Sequence, residues 1–151
     1  MFSRFHYTLI ILFVGIDQTT KWLAEYLLKY LQTVTVIPAI LSFDLVHNYG
    51  AAYGILQHQR TFLLIISFIV IIGGLFFQKS IIQSKFSLYG LLFLLAGALG
   101  NGIDRLFLGY VIDFINIKIF PVFNFADVFI DIAVGCFILE IFKHGKSTAK
   151  K

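Results

Sequence analysis

The sequence predicts an all-α membrane protein: four transmembrane helices, with a small strand-bearing segment outside the bilayer between the first and the second. Three observations lead there. Of the 151 residues, 59% are hydrophobic and 13% charged, against about 45–50% and about 25% in ordinary soluble domains. The apolar residues gather into four blocks, each long enough for a hydrocarbon core of about 30 Å, which about 20 helical residues cross. Between the first two blocks, residues 29–60 alternate and carry β-branched side chains, a pattern suited to strands.

The first block runs from about His6 to Leu28. It follows Arg4 as a signal peptide would, but no small-x-small cleavage site comes after it, and apolar character resumes at Trp22-Leu23-Ala24, so it reads as a retained span. Thr33-Val34-Thr35-Val36-Ile37 and Ser42-Phe43-Asp44-Leu45-Val46 then read as strands half-buried at the membrane surface. The second block extends over 61–77, the third over 86–103 and the fourth over 125–142. Pro38 and Pro121 fall outside all four, as helix interiors require. No repeat or linker divides the chain, so residues 1–151 are expected to form a single domain.

Charge sets orientation. The net charge is +4, but the basic residues lie scattered between blocks and concentrate only at Lys143, Lys146, Lys150 and Lys151, which argues against a nucleic-acid footprint. With four spans, Arg4, Lys79, Lys85 and the tail lysines share one side, seven in all, and Lys21, Lys29, Arg60, Arg105 and Lys118 the other. The positive-inside rule then puts both termini in the cytoplasm. Cys136 is the single cysteine and leaves the redox compartment open.

The polar residues cluster at the outer side. Asp17 and Lys21 stand four apart on one helix face and can neutralise each other; an ion pair that orients the helix end is a sufficient account of them. Asn48-Tyr49-Gly50-Ala51-Ala52-Tyr53-Gly54 joins an amide to small residues that permit close backbone approach, or simply turns the chain. Gly97, Ala98 and Gly100 permit close helix packing but do not account for Asn101, Asp104 and Arg105, which put an amide, an acid and a guanidinium at the outer mouth of the bundle. Asn124 reads as the N-cap of the last helix, with Asp127 as its N3 acid. Asp113, among Val, Ile and Phe, has no such role; the plain alternative is a polar point on an interfacial strand.

Short connections make the end of span three and the start of span four neighbours, so Asp113 and Asp127 can converge. Two ionised carboxylates about 4 Å apart repel by about 4 kcal/mol at an effective dielectric near 20, or about three pKa units. They would share a proton, leaving one acid and one base at the same pH, the arrangement by which paired aspartates activate water against a peptide carbonyl. His6, His47, His58 and His144 are dispersed and read as structural or interfacial, and no Ser/His, Cys/His or metal-ligand spacing competes. Intramembrane acids also mark ion pathways, so a small proton- or ion-linked transporter is the alternative; it predicts acids spread through the membrane depth.

Five ordered blocks, Asp17-Gln18-x-x-Lys21, Asn48-x-Gly50-Ala51-Ala52, Gly100-Asn101-x-x-Asp104-Arg105, Val111-x-Asp113-Phe114-Ile115 and Phe123-Asn124-x-Ala126-Asp127, together resemble the lipoprotein signal peptidase family, the bacterial type II signal peptidases, which are integral-membrane aspartyl proteases. The resemblance covers nearly the whole chain. It implies removal of the signal peptide from diacylglyceryl-modified prolipoproteins, just before the lipidated cysteine, at the outer face of the cytoplasmic (inner) membrane. It implies that Asp113 and Asp127 are the catalytic dyad, and that Asn48, Gly50, Asn101, Arg105 and Asn124 line or order the substrate site. Asp17, Lys21 and Asp104 match polar positions of a more structural kind. It also implies a small extracytoplasmic β-cradle with a mobile outer helix or loop. The partners expected are prolipoprotein substrates and membrane lipids, with no cofactor, metal or nucleic acid, and a monomer. Ala96 and Tyr53 depart from the family's commoner glycine and phenylalanine.

Overall fold

The computed structural model describes residues 1–51 and 54–148. Ala52 and Tyr53 of the small-residue loop, and the tail lysines Lys150 and Lys151, lie outside the described residues.

Helix α1 covers Arg4–Leu31. Its buried positions are Ile10, Asp17, Lys21, Ala24 and Leu28, which follow one another by three, four or seven residues and so form one stripe. Two of those five are charged, so polarity is built into the face that packs. Strands β1 (Thr33–Ile37) and β2 (Leu41–Asn48) form an antiparallel hairpin. Helix α2 (Arg60–Phe76) and the short α3 (Gln78–Ile81) lead to α4 (Lys85–Phe107), strand β3 (Val111–Asn116) and α5 (Phe125–Thr148).

The expected helices are all present and longer than predicted at most ends. Helix α4 runs on to Phe107, past the predicted end at Ile103, because Asn101 and Asp104 find partners inside the bundle. The strand prediction needs a correction: the cradle does not lie wholly between the first two long helices. β3, from the connection between α4 and α5, pairs antiparallel with β2 to give a sheet ordered β1-β2-β3. That register sets Asp113 opposite Val46 and Val111 opposite Asn48, which delivers Asn48 and Asp113 to the same end of the sheet.

Helix α4 is the centre of the molecule. Leu91, Leu92, Leu95 and Ala96 meet Phe2, Ile10 and Phe129 in the main core, where Phe13, Phe93 and Phe129 pack with centroids 5.1–5.9 Å apart. A second cluster, Ala24, Leu28 and Phe114, ties the C-terminal end of α1 to β3. Arg60, the first residue of α2, donates to the carbonyls of Arg105 and Leu106 at 2.7 and 2.8 Å and so satisfies the end of α4. Gly109 then turns the chain with φ +89°, its N–H reaching the Asp104 carbonyl at 3.1 Å; a side chain there would be strained.

By length and composition one described helix, Lys85–Phe107, is long and apolar enough to cross a membrane; Arg60–Phe76 is apolar at 17 residues. α1 and α5 have the length, at 28 and 24 residues, and carry charged side chains along it.

Small residues let α5 approach α4. A Cβ on Gly97 would lie 2.5 Å from the Ala126 carbonyl oxygen and 2.6 Å from Ile130 Cγ1, so α5 itself would have to shift. Gly97→Ala is expected to destabilise the protein by about 1–3 kcal/mol through overpacking and to lower its unfolding temperature in detergent. Gly15→Ala, where an added Cβ meets nothing within 4 Å, is the control and should be neutral or stabilising.

Candidate active site

Asp113 is 2% exposed, with Ile112 and Phe114 buried on either side of it along β3. Its Oδ2 accepts from Asn48 Nδ2 at 2.9 Å and its Oδ1 from Asn124 Nδ2 at 2.6 Å. Asp127 is half-buried in the first turn of α5. Its Oδ1 accepts from Asn101 Nδ2 at 2.8 Å and its Oδ2 from the Asn124 main-chain N–H at 3.2 Å. Asn124 Oδ1 accepts in return from the Asp127 N–H at 3.0 Å. The anticipated cap is therefore formed, with Asp127 as its N3 acid. The same asparagine touches both acids.

Each asparagine amide is held in one orientation by a partner that can only donate. The oxygen of Asn48 takes the Gly50 N–H at 2.9 Å, that of Asn124 takes the Asp127 N–H, and that of Asn101 takes the Lys21 ammonium at 2.9 Å. All three NH₂ groups are thereby turned toward carboxylates. These donors favour ionised acids, while burial opposes charge. For Asp113 burial prevails, reinforced by the nearby charge of Asp127, and its pKa is pushed up to about 7 against the pull of Asn48, Asn124 and Lys21.

The remaining predicted residues fall into two groups. Lys21, 1% exposed, lies between Asp17 Oδ2 at 2.9 Å and Asp104 Oδ2 at 3.0 Å, so the anticipated ion pair is a three-membered cluster. Arg105 points elsewhere, its Nη2 donating to the Gly50 carbonyl at 3.1 Å. Asp104 and Arg105 are successive on a helix, about 100° apart, and take different partners, although the guanidinium still feels the charges of Asp127, Asp113 and Asp104. Gly50 belongs where it is: a Cβ would come within 2.6 Å of the Ile55 carbonyl.

Gln18 was not singled out from sequence as a site residue. Its Nε2 reaches Asp104 Oδ1 at 2.8 Å, the Gly100 carbonyl at 3.1 Å and Asp17 Oδ2 at 3.2 Å. The signal was its place in a polar run on an apolar helix. Of the histidines, His47 pairs with Glu25 at 2.7 Å and stacks on Tyr110 at 4.3 Å, at the surface. His6 bonds Ser3 at the start of α1, and His58 lies beside Tyr49. None of the three contacts Asp113 or Asp127 through these partners. Among the described residues no three His, Cys, Asp or Glu side chains converge as a metal site.

This fold is that of a helical membrane enzyme. A bacterial membrane enzyme solved by the in meso method at 2.3 Å resolution matches it with a TM-score of 0.84 and 34% identity, over 99% of this chain and 93% of that one. A second, at 1.9 Å resolution, matches with a TM-score of 0.81 and 35% identity, over 94% and 95%. The chain belongs to the signal peptidase II family, whose model matches residues 9–143. A lipoprotein signal peptidase of Caldanaerobacter subterraneus is 43% identical over 139 residues, covering 87% of this chain and 92% of its own. One from Streptococcus agalactiae is 37% identical over 137 residues, covering 88% of each.

Proposed function

We propose that this chain is an aspartyl endopeptidase that removes the signal peptide from diacylglyceryl-modified prolipoproteins, cutting just before the lipidated cysteine. The observation that carries the reading is the pairing of Asp113 and Asp127 through one asparagine, with a donor on each of their four oxygens. With one proton on the pair, the ionised partner takes a proton from water as the water oxygen attacks the scissile carbonyl carbon. The protonated partner gives its proton to the carbonyl oxygen. Collapse of the tetrahedral intermediate breaks the C–N bond, with a proton passing to the departing amine. Asn48, Asn101 and Asn124 hold the acids, and Arg105 with Gly50 orders the loop beside them.

Four helices, α1, α2, α4 and α5, cross the membrane in this reading, as one domain over 1–151. Support comes from apolar side chains left exposed around all four, among them Ile11, Phe68, Ile69, Phe86, Leu139 and Ile141, a collar too extensive for a water-facing surface. Apart from Glu140, which takes a hydrogen bond from Ser84 at the opposite end, the acids of the dyad and of the Lys21 cluster gather toward one end of the bundle: the middle of α1, the end of α4, β3 and the start of α5. The lysine and arginine balance makes that end extracytoplasmic, with both termini on the cytoplasmic side of the cytoplasmic (inner) membrane. A bilayer-level site suits the substrate, since each buried lipid methylene contributes about 0.8 kcal/mol to membrane retention. A soluble protease would have to oppose that. The chain acts as a monomer among membrane lipids.

The test is turnover of one preprotein in lipidated and unlipidated forms by the detergent-purified protein. Cleavage of the lipidated form alone is expected, and equal cleavage of both would remove the substrate assignment. EDTA should leave the rate unchanged; loss of activity restored by a divalent cation would replace the paired acids with a metal.

A further inference from the structure

The Asp17–Lys21–Asp104 cluster does more than join helices. Each of its acids holds the main-chain N–H of the residue immediately before one member of the dyad. Asp104 Oδ2 accepts from the Ile112 N–H at 3.2 Å, one residue before Asp113. Asp17 Oδ1 accepts from the Ala126 N–H at 2.8 Å, one residue before Asp127. Lys21 Nζ lies between these two acids and gives its third hydrogen bond to Asn101 Oδ1. That bond is the one that turns the Asn101 amide so that its Nδ2 meets Asp127. Gln18 braces the cluster from the other side, and all three charged members are at most 2% exposed.

We infer that Lys21 is a positioning residue for the dyad: through Asp104 and Asp17 it fixes the two backbone segments that present the paired acids, and through Asn101 it fixes the donor on Asp127. This rests on the dyad reading above. An ion pair serving only to orient helices needs no bond to either of those two amides and none to Asn101. Here each ammonium hydrogen leads, in one further hydrogen bond, to the Asp127 carboxylate or to the N–H of the residue before one of the two acids. Placement errors of about 1 Å cost about 10²-fold in rate, so the effect of losing this lysine should appear in the chemical step.

The experiment compares Lys21→Met with wild type in the full chain, purified in detergent and assayed on a lipidated preprotein. Lys21→Met strands two buried acids, so Lys21→Met/Asp104→Asn is made beside it; this pair keeps the cluster at the same net charge of one negative. Asp113→Asn and Asp127→Asn run as controls. Expected for whichever Lys21 variant folds is a fall in kcat of about 10²-fold, with KM within about threefold. The alkaline limb of the pH profile should move upward in Lys21→Met, because its ammonium favours the ionised form of Asp113. Wild-type kcat and pH limbs with only a lower unfolding temperature would overturn the inference. Turnover by either control would instead overturn the dyad itself, whatever the lysine variants do.

Discussion

Asp113→Asn should abolish cleavage while making the protein more resistant to heat above pH 7. Removing a group that transfers a proton in the transition state costs about 10²–10⁴-fold, and in the proposed mechanism the same residue also completes the acid–base pair. The stability gain follows from linkage. Burial, and then the charge of Asp127, raise the Asp113 pKa to about 7, from about 3.9 in an unfolded chain. A raised folded-state pKa gives stability that is fully present below about pH 4 and disappears as pH climbs through 7. Wild type thus loses on the order of 4 kcal/mol across that window, at about 1.36 kcal/mol per unit, and a neutral amide loses none. Against this stands one hydrogen bond: Asn48 and Asn124 both present NH₂ groups to position 113, and an amide there can accept only one of them well. At about 0.5–1.5 kcal/mol that loss is the smaller quantity. Unfolding scans at pH 5 and pH 8 test the sign, and a variant less heat-resistant than wild type at pH 8 would refute it. Asp127→Asn should also be inactive.

The pH dependence of kcat/KM should be bell-shaped, with the alkaline limb near 7. In the proposed mechanism activity needs one proton on the pair. Above about pH 7 that proton leaves, and the rate should fall about tenfold per pH unit; both limbs belong to the pair and not to one residue. Asn48→Ala gives a directional check. Its amide donates to Asp113 and lowers that pKa, so deleting it moves the alkaline limb to higher pH even as the maximum rate drops. A limb that stays in place or moves down would show that Asn48 does not act on the proton carried by Asp113.

Much of this molecule is readable from local pattern. Blocks of apolar residues placed the four long helices, and alternation in Thr33–Ile37 and Ser42–Val46 placed the hairpin. An interfacial strand around Asp113 was one reading of the sequence, but its place in the sheet was not legible, because Val-Ile-Asp-Phe-Ile does not alternate and its β2 partners lie more than sixty residues earlier. It is buried on both sides, which erases the period that marks a half-exposed strand. The resemblance to a family, carried by five short blocks, named the site residues. It also set a dyad apart from positions of a more structural kind, but the contacts each residue makes came only with the fold. Asp104 and Arg105 are adjacent in sequence, yet one serves Lys21 and the other the Gly50 carbonyl. Gln18 stood in the block Asp17-Gln18-x-x-Lys21, but nothing local gave it a task, since its partners on α4 are more than eighty residues away. Asn124 was read as a cap and is one; its second task, the bond to Asp113, spans eleven residues and two elements.

The cap at the start of α5 carries a consequence for how such a protease is assembled. The carboxylate of Asp127 meets the Asn124 N–H only when that first turn is wound, and the amide of Asn124 is aimed at Asp113 by the same turn. On the proposed dyad, a chain whose final segment has not yet coiled holds both acids without the contacts that bring them together, and winding of that first turn is the step that assembles the pair.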